Sequence, residues 1–272
     1  MLKTRIKTGI ILALAGILLI FCLGPGFVFA WWIIFGVIMW EWASMTEMKE
    51  VSPVSRDALG KMMYVLVFIF FSAFAFFLPL LTLKIGLLFW IFAFVSFFFS
   101  QKSLGFLVSE KGYLLTGLFL LVPSWLAGFE LYIFSPWLLF FAILVIAASD
   151  TGAYFAGKKF GKHFLAPHLS PKKTWEGASG GLVAGILVGI VFSFFGNKLI
   201  PSAVALPMVG WIFLSIVLVV FGIIGDLFES QIKRLVGVKD SGKLLPGHGG
   251  FLDRFDSHFA GLVAAAFIVL LL

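Results

Sequence analysis

Apolar residues run along this chain in long blocks, and the polar residues that interrupt them concentrate in two stretches of its second half. The blocks at 9–23, 27–46, 62–83, 85–100, 113–129, 131–149, 177–197, 206–225 and 258–272 approach the roughly 20 residues that a helix needs to cross a hydrocarbon core. They predict an all-α polytopic membrane protein with about nine transmembrane helices, because a lipid-exposed backbone must satisfy its own hydrogen bonds. Gly24-Pro25-Gly26 and the region of Lys84 mark tight turns between neighbouring spans. Lys3, Arg5 and Lys7 ahead of the first block give the opening the outline of a signal peptide, but the next block follows almost without a linker, so a retained first span is expected.

Polarity divides the chain. Residues 1–149 are rich in Phe, Leu and Ile, with short connections, and account for about six spans. Residues 150–272 hold about three spans and all the histidines, with polar segments at 150–176 and 226–257. Both segments fall on the same side of the membrane, so they can converge on one site at its surface, and chemistry is expected there.

Charge fixes the orientation. The chain carries 20 Lys and Arg against 13 Asp and Glu, a formal net charge of +7. With a cytoplasmic amino terminus, segments 1–8, 47–61, 101–112, 150–176 and 226–257 share the cytoplasmic side and hold every Lys and Arg except Lys84 and Lys198. That asymmetry is the positive-inside rule at work, so the basic balance reports topology and no nucleic-acid partner is expected. The bilayer is the partner, and the simplest location is a bacterial cytoplasmic (inner) membrane with the polar segments facing the cytoplasm; no organellar presequence is expected. A basic face of this kind attracts anionic lipids and phosphate-bearing solutes by about 1 kcal/mol per residue near the surface. Hydrophobic residues make up 61% and charged residues 12%, about half the charged share of a soluble domain. The lone Cys22 excludes an intramolecular disulfide and any cysteine-based metal site.

Within 150–176, Gly152 to Lys158 nearly matches a phosphate loop, but Lys159 stands where Ser or Thr is required and no strand precedes it, so a P-loop fold is set aside. Asp150 is expected to end a span at the interface, where a carboxylate opposes the helix dipole and invites a cation. In Ser170-Pro171-Lys172-Lys173-Thr174-Trp175-Glu176-Gly177, Pro171 is placed where a helix could begin. Lys172 and Lys173 would then lie in its first turn, an arrangement that wants an anion such as a phosphate chain and is otherwise a positive-inside pair. Gly177, Gly181, Gly185 and Gly189 lie on one stripe of the following helix, the spacing of close helix packing, either within the molecule or at the seam of a homodimer.

Within 226–257, Asp226, Glu229, Ser230, Lys233 and Arg234 share one face of a helix that continues out of its span. Lys239-Asp240, the His248-Gly249-Gly250 turn and Asp253-Arg254-Phe255-Asp256 follow. Asp253 and Asp256 are spaced to point the same way in a first helical turn. Like charges so placed call for a counter-ion, and Mg²⁺ is commonly held by one or two carboxylates with substrate phosphates and water; helix capping is the simpler alternative. Asp226, at the same membrane level, can join the pair. His248 suits a proton donor, a phosphate ligand or a turn former. Carboxylates for a metal, surplus Lys and Arg for polyphosphate and glycine turns for close approach together suit phosphoryl or nucleotidyl transfer.

The run Ser230-x-x-Lys233-Arg234, Lys239-Asp240, His248-Gly249-Gly250-x-x-Asp253-Arg254-x-Asp256 resembles, without departure, the signature of the phosphatidate cytidylyltransferases, or CDP-diacylglycerol synthases. Asp150-Thr-Gly-Ala-Tyr, the Ser170 to Gly177 run and Trp40-Glu41-Trp42 also resemble that family, whereas the first spans do so mainly through hydropathy. The resemblance implies an Mg²⁺-dependent membrane enzyme that takes CTP and phosphatidic acid as substrates and makes CDP-diacylglycerol and pyrophosphate, with a monovalent cation such as K⁺ as a further candidate. It implies metal ligation by Asp226, Asp253 and Asp256, with Lys233 and Arg254 beside them in catalysis. Asp150, Lys172, Lys173, Glu176, Ser230, Arg234, Lys239, Asp240 and His248 are the candidate substrate-binding residues. Two other readings fit parts of the pattern: a CTP-dependent lipid kinase that moves the γ-phosphate, and an ion-coupled transporter, against which stands the clustering of acids at one face.

Overall fold

The computed structural model describes residues 2–45, 57–100, 103–202, 205–242, 244–245 and 249–272, apart from the side chains of 2–7 and 110. Among the described residues the helices are α1 (Leu2–Cys22), α2 (Phe27–Met45), α3 (Ala58–Ala75), α4 (Pro79–Ser96), α5 (Glu110–Phe134), α6 (Pro136–Phe160), α7 (Trp175–Ser193), α8 (Met208–Val236) and α9 (Leu252–Leu271). Eight segments are long and apolar enough to cross a membrane; the apolar part of α1, Thr8–Cys22, is shorter. An antiparallel hairpin of β1 (Phe164–Ala166) and β2 (Ser170–Thr174) joins α6 to α7, a small departure from an all-helical chain.

Helix boundaries differ from the apolar blocks where capping chemistry overrules hydropathy. Ser135 is extended and its hydroxyl accepts from the Trp137 amide at 3.3 Å, with Pro136 opening α6; hence α5 runs on to Phe134 and α6 starts late. Helix α6 then continues without a break through position 150 to Phe160. Asp150 therefore lies well inside a helix and not at its C-terminus, since Asp150-Thr-Gly-Ala contains nothing that stops a helix already packed on a neighbour. Helix α8 behaves alike: its 29 residues extend about 44 Å, past a hydrocarbon core of about 30 Å. It ends at Gly237, whose φ of 80° lets the Gly237 and Val238 amides fold back onto the Arg234 and Lys233 carbonyls.

Lys172 and Lys173 are not in a first helical turn. They lie on β2, which pairs back onto β1, and α7 opens only at Trp175, where the Thr174 hydroxyl caps the Gly177 amide at 3.1 Å. A threonine cap three residues downstream prevails over Pro171 as the start of the helix.

The glycine stripe is packed inside the molecule. An added Cβ on Gly181 would lie 2.8 Å from Ser149 Oγ of α6, and one on Gly185 would lie 2.5 Å from Val219 Cγ2 of α8. Gly177 meets the Ala153 carbonyl and Gly189 the Trp211 carbonyl. The stripe thus seats α7 against α6 at one end and α8 at the other, which disposes of the stripe as a dimer seam. Near the end of α2, that helix is clasped to α5. Trp42 donates its indole N–H to the Tyr113 carbonyl at 3.2 Å, Tyr113 returns its hydroxyl to the Trp42 carbonyl at 2.8 Å, and the rings stack with centroids 4.6 Å apart.

Replacing Gly185 with Leu forces a branched side chain into Val219. The expected outcome is a loss of about 1–3 kcal/mol, read as a lowered melting temperature of the detergent-solubilised protein; an unchanged melting temperature would show that the stripe is not a packing surface.

Candidate active site

Helices α6, α7, α8 and α9 and the β1–β2 hairpin enclose a cavity of about 590 Å³ at one end of the bundle. Its wall carries four carboxylates, Asp150, Asp226, Asp253 and Asp256, and four cations, Lys158, Lys172, Lys173 and Arg254. Tyr154, Thr174, Ser149 and Ser257 add hydroxyls, while Leu165, Ala178 and Ile223 supply an apolar patch. The two signs are therefore equal in number on the wall. Asp150, Asp226 and Asp256 repel one another across the cavity, and Lys173 answers them by forming an ion pair with Asp226.

Asp253 differs from its neighbours. It is 8% exposed and its two oxygens are already engaged: Lys233 Nζ reaches Oδ1 at 2.9 Å, the Gly250 amide donates to Oδ2 at 2.9 Å, and the Ser241 amide donates to both, 3.0 Å from Oδ2. The acceptor sits in the first turn of α9, where the positive end of the helix dipole also favours it. Lys233, whose side chain is 12% exposed, bridges Asp253 to Glu229 on the preceding turn of α8, 3.3 Å away. Glu229 is 1% exposed, and neither of its oxygens makes a hydrogen bond among the described residues. Thus Lys233 stands behind the cavity wall as the cation between two buried carboxylates.

Of the residues singled out in the sequence, Asp150, Lys172, Lys173, Asp226, Asp253, Arg254 and Asp256 line the cavity together. Glu176 lies elsewhere. It accepts from the Lys162 and His163 amides at 3.1 and 3.2 Å and contacts His163 Nδ1 at 2.6 Å, so it clasps the turn after α6 to the start of α7. Ser230, Arg234, Lys239 and Asp240 are absent from the lining; Arg234, Lys239 and Asp240 point to the surface. The five polar groups share one broad face of the unbroken α8, and their surroundings differ across it: Asp226 lines the cavity, Glu229 and Lys233 turn inward, Ser230 is half-buried and Arg234 is exposed. His248 is outside the described residues. Lys158 and Tyr154 are wall residues that the sequence reading passed over, although the near-match to a phosphate loop ends on Lys158; here that stretch is helix throughout. Glu41, from the Trp40-Glu41-Trp42 run, is buried, and its carboxylate accepts the amide of Leu252 at the start of α9.

The family profile of the cytidylyltransferase family matches residues 3–272. The chain belongs to that family. Among curated proteins it is similar to a phosphatidate cytidylyltransferase of Haemophilus influenzae, 34% identical over 280 residues covering 94% of each chain. It is equally similar to one of Pseudomonas aeruginosa, 34% identical over 275 residues covering 96% of this chain and 94% of the relative. A Bacillus subtilis phosphatidate cytidylyltransferase is 45% identical over a shorter stretch of 119 residues, 44% of this chain and 42% of the relative. Family membership thus spans the first helices as well as the polar half, beyond what the motifs alone carried.

Lys233→Met leaves Asp253 and Glu229 buried without their shared cation. Breaking a buried pair from one side costs about 3–5 kcal/mol, so the variant is expected to melt well below the parent in detergent, whereas Arg234→Met, at the surface, melts with it.

Proposed function

We propose that the cavity is where CMP passes from CTP to phosphatidic acid, giving CDP-diacylglycerol and pyrophosphate. The supporting observation is the joint one: relatives of that activity align over nearly the whole chain, and Asp253, Arg254 and Asp256 of the family motif line one cavity with Asp150, Lys172, Lys173 and Asp226. In this reading an oxygen of the lipid phosphate attacks the α-phosphorus of CTP, and the bond from that phosphorus to the bridging oxygen of the β-phosphate breaks. Pyrophosphate carries away the electron pair. The phosphomonoester is already largely ionised near neutral pH, so no protein base is required. Lys158, Lys172, Lys173 and Arg254 supply positive charge to the triphosphate, the departing pyrophosphate and the lipid phosphate. Leu165, Ala178 and Ile223 give the lipid's glycerol end an apolar place to rest.

The donor set also fits Mg²⁺. Among the described residues no three acidic, His or Cys side chains form a ready-made metal cage, but Mg²⁺ takes only one or two carboxylates and fills its remaining positions with water and substrate phosphates. Asp226 and Asp256, mutually repelling on the cavity wall, would hold it. Asp253, expected from the sequence as a third ligand, lines the same cavity; its oxygens also accept from Lys233 and two amides, as Asp226 also pairs with Lys173, so a metal would share these carboxylates with their cations. When bound, the metal would neutralise the charge that collects on phosphoryl oxygens. The orientation follows from the charge asymmetry: a cytoplasmic cavity in a bacterial inner membrane, open to soluble CTP.

Three measurements test this reading. CTP labelled in both α- and γ-phosphates, given with phosphatidic acid and Mg²⁺, should place α-label in the lipid phase and γ-label in pyrophosphate; γ-label in lipid would make the protein a kinase instead. Asp226→Asn and Asp256→Asn should each lower turnover by about 100-fold or more while the protein stays folded. In a Cys22→Ser background, a cysteine at position 198 should react with an impermeant maleimide added outside intact cells and one at position 239 only after permeabilisation; the reverse pattern would place the cavity on the outer side.

A further inference from the structure

The cavity wall comes entirely from α6 to α9 and the hairpin, yet one acidic side chain of α2 reaches the segment that sets the wall's geometry. Glu41 lies in the last turn of α2 and is 3% exposed. Its Oε2 accepts the Leu252 amide at 2.9 Å across 211 positions of sequence. Leu252 is the first residue of α9, and the opening amides of a helix have no acceptor of their own. The next residue, Asp253, takes the Gly250 and Ser241 amides. Two carboxylates from opposite halves of the chain therefore hold the same short piece of backbone.

The glycines around that piece are what let both acids in. A Cβ on Gly250 would lie 2.5 Å from Glu41 Oε2, and one on Gly242 would lie 3.0 Å from Glu41 Oε1. Gly249 has a φ of +83°, and a Cβ there would strike Asp253 Oδ2. Glu41 itself is fixed from behind, because its neighbour Trp42 is bound reciprocally to Tyr113 of α5. Hence α5, α2, Glu41 and the Leu252 amide form one continuous mechanical path to the first turn of α9, from which Arg254 and Asp256 face the cavity.

We propose that Glu41 is a positioning residue for the transfer reaction: as acceptor for the Leu252 amide it sets the start of α9, and so the placement of Arg254 and Asp256. This rests on the cytidylyltransfer reading above. The work is done by an acceptor oxygen and not by charge, so a glutamine can replace the glutamate, whereas a side chain without an acceptor cannot. A displacement of about 1 Å at reacting groups is enough to cost orders of magnitude in rate.

The test compares full-length Glu41→Gln, Glu41→Ala and Glu41→Met in detergent with phosphatidic acid, CTP and Mg²⁺, below their melting temperatures. Glu41→Ala and the volume-conserving Glu41→Met should lose about tenfold or more in kcat per folded molecule, with KM for CTP changed by less than about threefold. Glu41→Gln should keep kcat within about threefold of the parent. In parallel, hydrogen exchange of peptides covering 249–257 should quicken by about fivefold in the Ala and Met variants, as the loss of one buried hydrogen bond predicts, and stay unchanged in the Gln variant. A lowered melting temperature with kcat intact, a change confined to KM, or equal loss in all three variants would overturn the proposal. Should the parent protein transfer no CMP, the functional reading fails by itself, and the exchange rates still decide whether Glu41 holds the start of α9.

Discussion

A charge withdrawn from water must be met by another charge or by oriented donors, and Asp253 is where this protein meets that requirement most completely. Its carboxylate gathers a lysine from α8 and two backbone amides from the connection between α8 and α9. Each partner would otherwise be a buried, unsatisfied group with a cost of its own. The ion pair with Lys233 extends to Glu229, so the last turns of α8 and the first turn of α9 are tied by three ionisable groups that are nearly out of solvent. Removing Lys233, the shared partner, would leave both buried carboxylates without their cation.

The four carboxylates of the cavity wall divide the work by environment. Asp253 is engaged by Lys233 and two amides, Asp226 is answered by Lys173, and among the described residues Asp150 and Asp256 form no ion pair. In the proposed reading, carboxylates beside Lys158, Lys172 and Arg254 would receive ligands that bring both signs, a polyphosphate together with its metal. Glycine makes these approaches geometrically feasible. Along α7 it lets three helices close up, and around Asp253 and Glu41 it leaves room for carboxylate oxygens at the backbone.

Much of this was legible in the chain. The apolar blocks marked the spans because a helix of that length satisfies its own backbone hydrogen bonds in lipid, and the spacing of Asp253 and Asp256 placed both in one helical turn. Ser135-Pro136 was legible too, as a cap followed by a favoured first residue, but hydropathy obscured it. What misled was locally ambiguous chemistry. Asp150-Thr-Gly-Ala looks like the end of a helix and continues one, because packing of α6 on the α7 glycines outweighs the weak helix propensity of those residues. Pro171-Lys172-Lys173 looks like a helix start and is a strand, because Thr174 offers the better cap.

By itself the sequence determined the class of the molecule, its apolar spans and the residue types of its site, since hydropathy and helical spacing are local properties that need no partner. Only the tertiary structure decided which charges meet. Nothing within α2 tells Glu41 that it will accept an amide 211 positions away, and nothing in the helical register of α8 says that Lys233 turns inward to Asp253 while Arg234 faces water. Those choices are made when helices pack and desolvation forces each buried charge to take the nearest partner that the packing supplies.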